Sequence, residues 1–182
     1  MISNIMTITE TTEGKDSNNR VPIWMLIWAQ FLSLPFRILF LFVRKHNYTE
    51  IRNDDWTALY PFPTDGHEIE RKIIAENGFD GCIKFYHLRT EDMKINELLQ
   101  EKIFGEFHWE KDFGIFLRQF DSPNDWPISF LVFIDTGNFT FNRLRKVNSA
   151  WPEWKYEGIN ENDFNIIIEY TNAYSKRLTI RK

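Results

Sequence analysis

A single cysteine, Cys82, in 182 residues excludes any disulfide within the chain. Stability must therefore come from a packed core, and a lone thiol suits a reducing compartment. Glycine and proline are scarce, at 8 and 7 residues, which leaves no low-complexity body. Positive charge is not in excess: 22 Lys and Arg face 26 Asp and Glu, for a net charge of −4. Chains built chiefly to bind nucleic acid show a basic surplus, so no nucleic acid is expected as a partner. GxxxxGK-type phosphate loops, GxGxxG turns, GxSxG elbows and paired-cysteine metal patterns are missing. The enzyme classes that depend on them are thereby removed. No cofactor is expected, and the chain reads as a binder rather than a catalyst.

What is abundant is aromatic surface: 17 Phe, 7 Trp and 6 Tyr. Large rings bury much area per residue, and the length suits one core rather than two. Residues 1–20 are polar and aperiodic and are expected to form a disordered tail. Polarity then changes abruptly. Across residues 21–43 only Gln30 and Arg37, with Ser33 more weakly, are polar. Pro22 suits a first helical turn, and Pro35 would kink the helix near its middle.

Gln30, Ser33, Arg37 and Arg44 are spaced three, four and seven apart, so on a helix they make one narrow stripe. Trp24 and Trp28 at one end, and Arg44 and Lys45 at the other, are residue types of membrane–water interfaces. Crossing a bilayer is nearly balanced. A central Arg costs about 2.5–3.5 kcal/mol, against a gain of about 0.3–0.6 for each of a dozen apolar residues. A helix lying in the interface, with Arg37 reaching the headgroups, suits the stripe better. The competing readings are a core helix and a partner-binding helix. Membrane contact through Trp24, Trp28, Arg37, Arg44 and Lys45 is the expectation, with the C-terminal body on the cytoplasmic side; the alternative is a cytoplasmic protein.

The rest of the chain predicts an α+β domain over residues 47–182, with a mainly antiparallel sheet and about three helices. The long, kinked, apolar helix of residues 21–46 would precede it. Asp65 and Glu68 resemble a capping box for a helix over residues 66–77, its face formed by Ile69, Ile73 and Ile74. Residues 82–88 alternate like a strand. Thr90 would cap a second helix carrying Ile95, Leu98, Leu99 and Ile103, stopped at Gly105. Strands are expected at 106–109, 114–120 and 128–135, the last apolar on both faces and hence interior. A turn at Thr136-Gly137-Asn138 leads into a hairpin partner over residues 139–146. Residues 149–158 read as a loop, and 161–174 as a third helix, with 164–170 equally readable as a strand.

Asp135-Thr136-Gly137 after an apolar strand resembles the catalytic loop of aspartic proteases, but that chemistry needs two such aspartates. The tripeptide also makes a good turn. Glu106, His108, Glu110 and Asp112 would share one strand face, a set able to bind metal or simply to be solvated. Cys82 could pair with His87 or His108 as nucleophile and base. The basic runs at residues 143–146 and 176–182 could meet lipid headgroups or guard sheet edges. Trp151 and Trp154, in the expected loop, are the candidate exposed patch for a protein partner. The expected function is thus a small membrane-associated protein that binds a partner. The alternatives are a soluble intracellular hydrolase with residues 21–43 as its core helix, and a soluble inhibitor or immunity-like protein.

Overall fold

The computed structural model describes residues 6–14, 48–59, 68–77, 82–149, 154–159, 163–169 and 174–181. They form twelve strands and one α-helix. In chain order these are β1 (Thr7–Gly14), β2 (Tyr48–Glu50), β3 (Thr57–Ala58), β4 (Ile69–Asn77), β5 (Ile83–Thr90), α1 (Met93–Leu99), β6 (Ile103–Lys111), β7 (Gly114–Phe120), β8 (Ile128–Asp135), β9 (Thr140–Asn148), β10 (Trp154–Gly158), β11 (Asp163–Glu169) and β12 (Tyr174–Arg181). The large sheet runs β2-β4-β5-β6-β7-β8-β9, with β3 also on β4, and the small one β1-β12-β11-β10. Every pairing is antiparallel.

The expected α+β architecture with three helices is therefore corrected to a predominantly β fold, and no long N-terminal helix is shown. Residues 21–46 lie outside the described ones. Residues 69–77, expected as a helix, are β4. Their isoleucines satisfy a helical stripe, but a bulge between Ile73 and Ala75 lets the same residues pair along β5. Residues 163–169 take the strand alternative. Phe164, Ile166 and Ile168 are buried at every second position, and consecutive β-branched residues prefer that geometry. Within the expected disordered tail, Thr7–Gly14 pairs with β12 along its whole length. Part of the expected loop is β10.

One helix does form, shorter than expected. Its cap is Asp92, not Thr90; the Asp92 carboxylate accepts hydrogen bonds from the Lys94 and Ile95 amides at 2.9 and 3.2 Å. The helix ends before Glu101, whose φ is 60°, and Ile103 passes into β6.

The two sheets pack face to face. Phe107, Phe116, Leu131, Phe133 and Val147 of the large sheet share a core with Trp154, Phe164, Ile166, Ile168, Leu178 and Ile180 of the small one. Rings span the seam: Trp109 stacks on Tyr156 at 3.9 Å, and Phe116 meets Phe164 edge-on at 4.9 Å. Each such pair adds about 0.5–1.5 kcal/mol beyond area burial, which gives the high aromatic content its structural use. On the opposite face of the large sheet, Ile95 and Leu99 of α1 close a second core with Leu88, Phe104, Ile115, Leu117, Val132 and Ile134.

An ion cluster pins β1 across the edge of the sandwich. Glu10 takes Lys176 of β12 and Arg145 of β9, each at 2.5 Å. Hydrogen bonds from Lys176 and then Arg145 hold the Glu10 carboxyl below its ordinary value of 4.5. A folded-state value below the unfolded one stabilises the native state at higher pH, and the contribution disappears as pH falls below 4.5 through the lowered value. The thermal midpoint of Glu10→Gln is therefore expected to lie below that of the wild type at about pH 7 and to converge with it in acid, as pH falls through the lowered value. A gap that persists in acid would show that the carboxylate charge is not what holds β1.

Candidate functional site

Alternation along β7 sends Ile115 and Leu117 toward α1, and Phe116, Arg118 and Phe120 toward the other side. Arg118 is 1% exposed. Its Nε donates to Ser129 Oγ at 3.0 Å, and Nη2 to the Ser149 carbonyl at 2.8 Å. The guanidinium also lies over the rings of Phe120 and Trp154, 5.0 and 4.9 Å from their centroids. Touching β8, the end of β9 and β10 together, it serves as a clamp between the sheets. Trp154, expected in an exposed patch, is 7% exposed and packs on Phe107 at 5.3 Å. Trp151, Trp24, Trp28, Arg37, Arg44 and Lys45 lie outside the described residues.

The catalytic candidates take structural places. Asp135 Oδ1 accepts the Gly137 and Asn138 amides at 2.9 Å, and Oδ2 accepts Asn138 Nδ2, so the Asp-Thr-Gly run closes the β8–β9 turn. Glu106 accepts the Tyr86 hydroxyl at 3.1 Å. Burial, with the Glu106 charge beside it, pushes that phenol well above its ordinary range. Among the described residues no three His, Cys, Asp or Glu side chains gather as a metal site. Cys82 is exposed at the entrance to β5. His87, five residues along that extended strand and so ~16 Å away, directs Nδ1 to the Lys102 carbonyl. The basic runs are largely engaged: Arg143 pairs with Asp121, Arg145 and Lys176 with Glu10, and Arg177 with Glu157.

A different surface joins exposed charge to aromatic rings. Phe141 faces Ile134 and Arg143 faces Val132 across β8–β9, which puts Phe141 and Arg143 on the α1 side. Phe130 and Phe139, with Leu98 of α1, border the same core half-buried. Over this row lie three cations: Lys94 Nζ is 4.4 Å from the Phe139 ring, Lys102 Nζ 4.9 Å from Phe141, and the Arg143 guanidinium 4.3 Å from Phe130. Nine cation–ring contacts occur among the described residues, so the contact alone distinguishes nothing. Their grouping does. Lys72, Arg89 and Arg143 meet Asp54, Glu70 and Asp121. Among the described residues no carboxylate pairs with Arg71, which lies alone over Tyr86, or with Lys94 and Lys102, which share one row.

Backbone strain borders the same row. Among the described residues the two non-glycine positions at positive φ are Glu101 (60°) and Phe139 (52°), a conformation costing about 1–2 kcal/mol for a residue with a Cβ. Glu101 positions Lys102, and Phe139 carries its own ring into the row. Reading the sequence for single motifs misses this site. Its signal is the alternation Phe139-x-Phe141-x-Arg143 on an expected strand; Lys94 and Lys102, far off in sequence, carry none.

Compared with models of known families, with characterised proteins and with solved structures, the chain gives no match.

Proposed function

We propose that this chain is a membrane-associated binding protein, held at a bilayer by the apolar sequence of residues 21–43 and presenting its β-sandwich to a protein partner. The observation that carries the binding reading is the row of half-buried rings under two uncompensated lysines beside α1. Aromatic anchors are enriched at interfaces, and the lysines over them add charge that can select a partner. Attachment is supported by the composition of residues 21–43, with Trp24, Trp28, Arg37, Arg44 and Lys45 as the contacting residues. Among the described residues no helix is long and apolar enough to cross a membrane, and the proposal requires none.

Deleting residues 1–46 would be a poor test, because it removes β1 and its pairing with β12. Point changes avoid that. The full chain is expected to sediment with membranes, and a Leu32→Asp, Phe40→Asp variant to shift to the supernatant while keeping a cooperative thermal transition. Wild-type protein found wholly in the supernatant would overturn the attachment.

A further inference from the structure

The row beside α1 is specific enough to indicate what kind of partner segment it takes. Phe141 and Arg143 sit two apart on one face of β9, and β9 ends the large sheet among the described residues. Lys94 reaches the row from α1 and Lys102 from the segment between α1 and β6. Three elements thus bring their cations to one strip at a sheet edge. Asp121 neutralises Arg143. Lys94 and Lys102 keep their charge without a carboxylate, and the nearby Glu97 and Glu101 pair with neither.

We infer that this strip, built from Phe139, Phe141, Lys94 and Lys102, is the surface on which the chain docks an acidic segment of its protein partner. The inference rests on the reading of the chain as a binding protein and names the chemistry of that partner. Charge complementarity selects the occupant. The two ammonium groups lie 4.4 and 4.9 Å from neighbouring ring centroids, so a carboxylate reaching the strip meets two donors close together. The rings favour an extended segment with apolar residues between its acidic ones, lying along β9 as an added strand would. A lipid surface suits the strip less well. Phe130, Phe139 and Phe141 border the core half-buried, with cations over their faces, whereas insertion into a bilayer needs apolar side chains that project.

The test uses the full chain in mild detergent and a twelve-residue peptide alternating Glu with Val, titrated calorimetrically. Saturable binding that weakens as salt rises is expected. Lys94→Glu with Lys102→Glu should lower the affinity at least tenfold. Lys155→Glu with Arg181→Glu, the same charge change at exposed positions of the small sheet, should leave it within threefold. Lys94→Gln with Lys102→Gln is the milder pair should the first fail to fold, and it should still weaken binding severalfold. Absence of saturable binding, or equal loss in both charge-matched pairs, would overturn the inference. So would capture of phosphatidylserine vesicles through Lys94 and Lys102 without peptide binding. A chain that leaves membranes yet binds the peptide refutes attachment alone, and one that stays on membranes and ignores the peptide refutes this inference alone.

Discussion

Arg118→Ala is expected to destabilise the fold by about 3–5 kcal/mol, the range for truncating a large, fully buried side chain to alanine, with the loss of its hydrogen bonds adding to it. The side chain is 1% exposed, and its loss removes the donors that reach Ser129 Oγ and the Ser149 carbonyl in a buried seam. It also opens a void between the Phe120 and Trp154 rings that the guanidinium now fills. Domains of this size hold roughly 5–15 kcal/mol of net stability, so the variant should lie near the threshold of folding. Urea denaturation checks this: the midpoint should fall sharply while the slope stays unchanged. Arg118→Met should recover part of the loss, since it restores volume without satisfying the two acceptors. An alanine variant within about 1 kcal/mol of the wild type would remove Arg118 from its role as a clamp.

The second large effect concerns Gly114, where β7 begins. A Cβ built there would stand 2.3 Å from the Ile134 carbonyl oxygen and 2.3 Å from the Phe133 ring. The ring could turn aside, but the carbonyl belongs to the backbone of β8 and is held in the β7–β8 ladder. Gly114→Ala is therefore expected to cost about 3 kcal/mol or more, at the upper end of overpacking. Gly137→Ala supplies the contrast. Its nearest neighbour would be Asp135 Oδ1 at 3.4 Å, ordinary contact, so its effect should stay within about 0.5 kcal/mol. Equal midpoints for the two variants would show that β7 and β8 separate more readily than the register implies.

Both residues sit on strands that the sequence exposes clearly. The 114–120 and 128–135 runs appear as β7 and β8 with the expected ends, because strands covered on both faces read as continuous apolar runs bounded by turn residues. The turn at Asp135-Thr136-Gly137 is equally visible, since a short acceptor beside free amides has few other uses. Elsewhere the pattern is degenerate. Ile69, Ile73 and Ile74 satisfy a helical stripe as well as a bulged strand, and what decides between them is β5, which no local window contains. The polar residues 7–14 carry no apolar periodicity. They become a strand because β12 offers a full ladder and because Glu10 finds Arg145 and Lys176.

The binding row divides in the same way. Phe141 and Arg143 can be placed on one face of a strand from spacing alone, whereas Phe139, at positive φ just before β9, joins the row through the turn. That Lys94 and Lys102 lie over those rings depends on where α1 lands, and so on Ile95 and Leu99 finding the core formed by the strands of the large sheet. Trp154 shows the converse: a sequence neighbourhood suggesting an exposed loop becomes a strand whose first residue, Trp154, is buried once Arg118 and Phe107 close over it.

By itself, then, the sequence determined that this chain folds around aromatic packing rather than disulfides, that strands 114–120 and 128–135 lie inside a sheet, and that residues 21–43 are apolar. Tertiary structure alone decided that the body is a β-sandwich rather than α+β, and which cations remain uncompensated. The reason is physical. Periodicity reports which face a residue buries, whereas strand pairing and ion pairing can depend on partners far along the chain, as Thr7 pairs with Arg181 and Glu10 with Arg145.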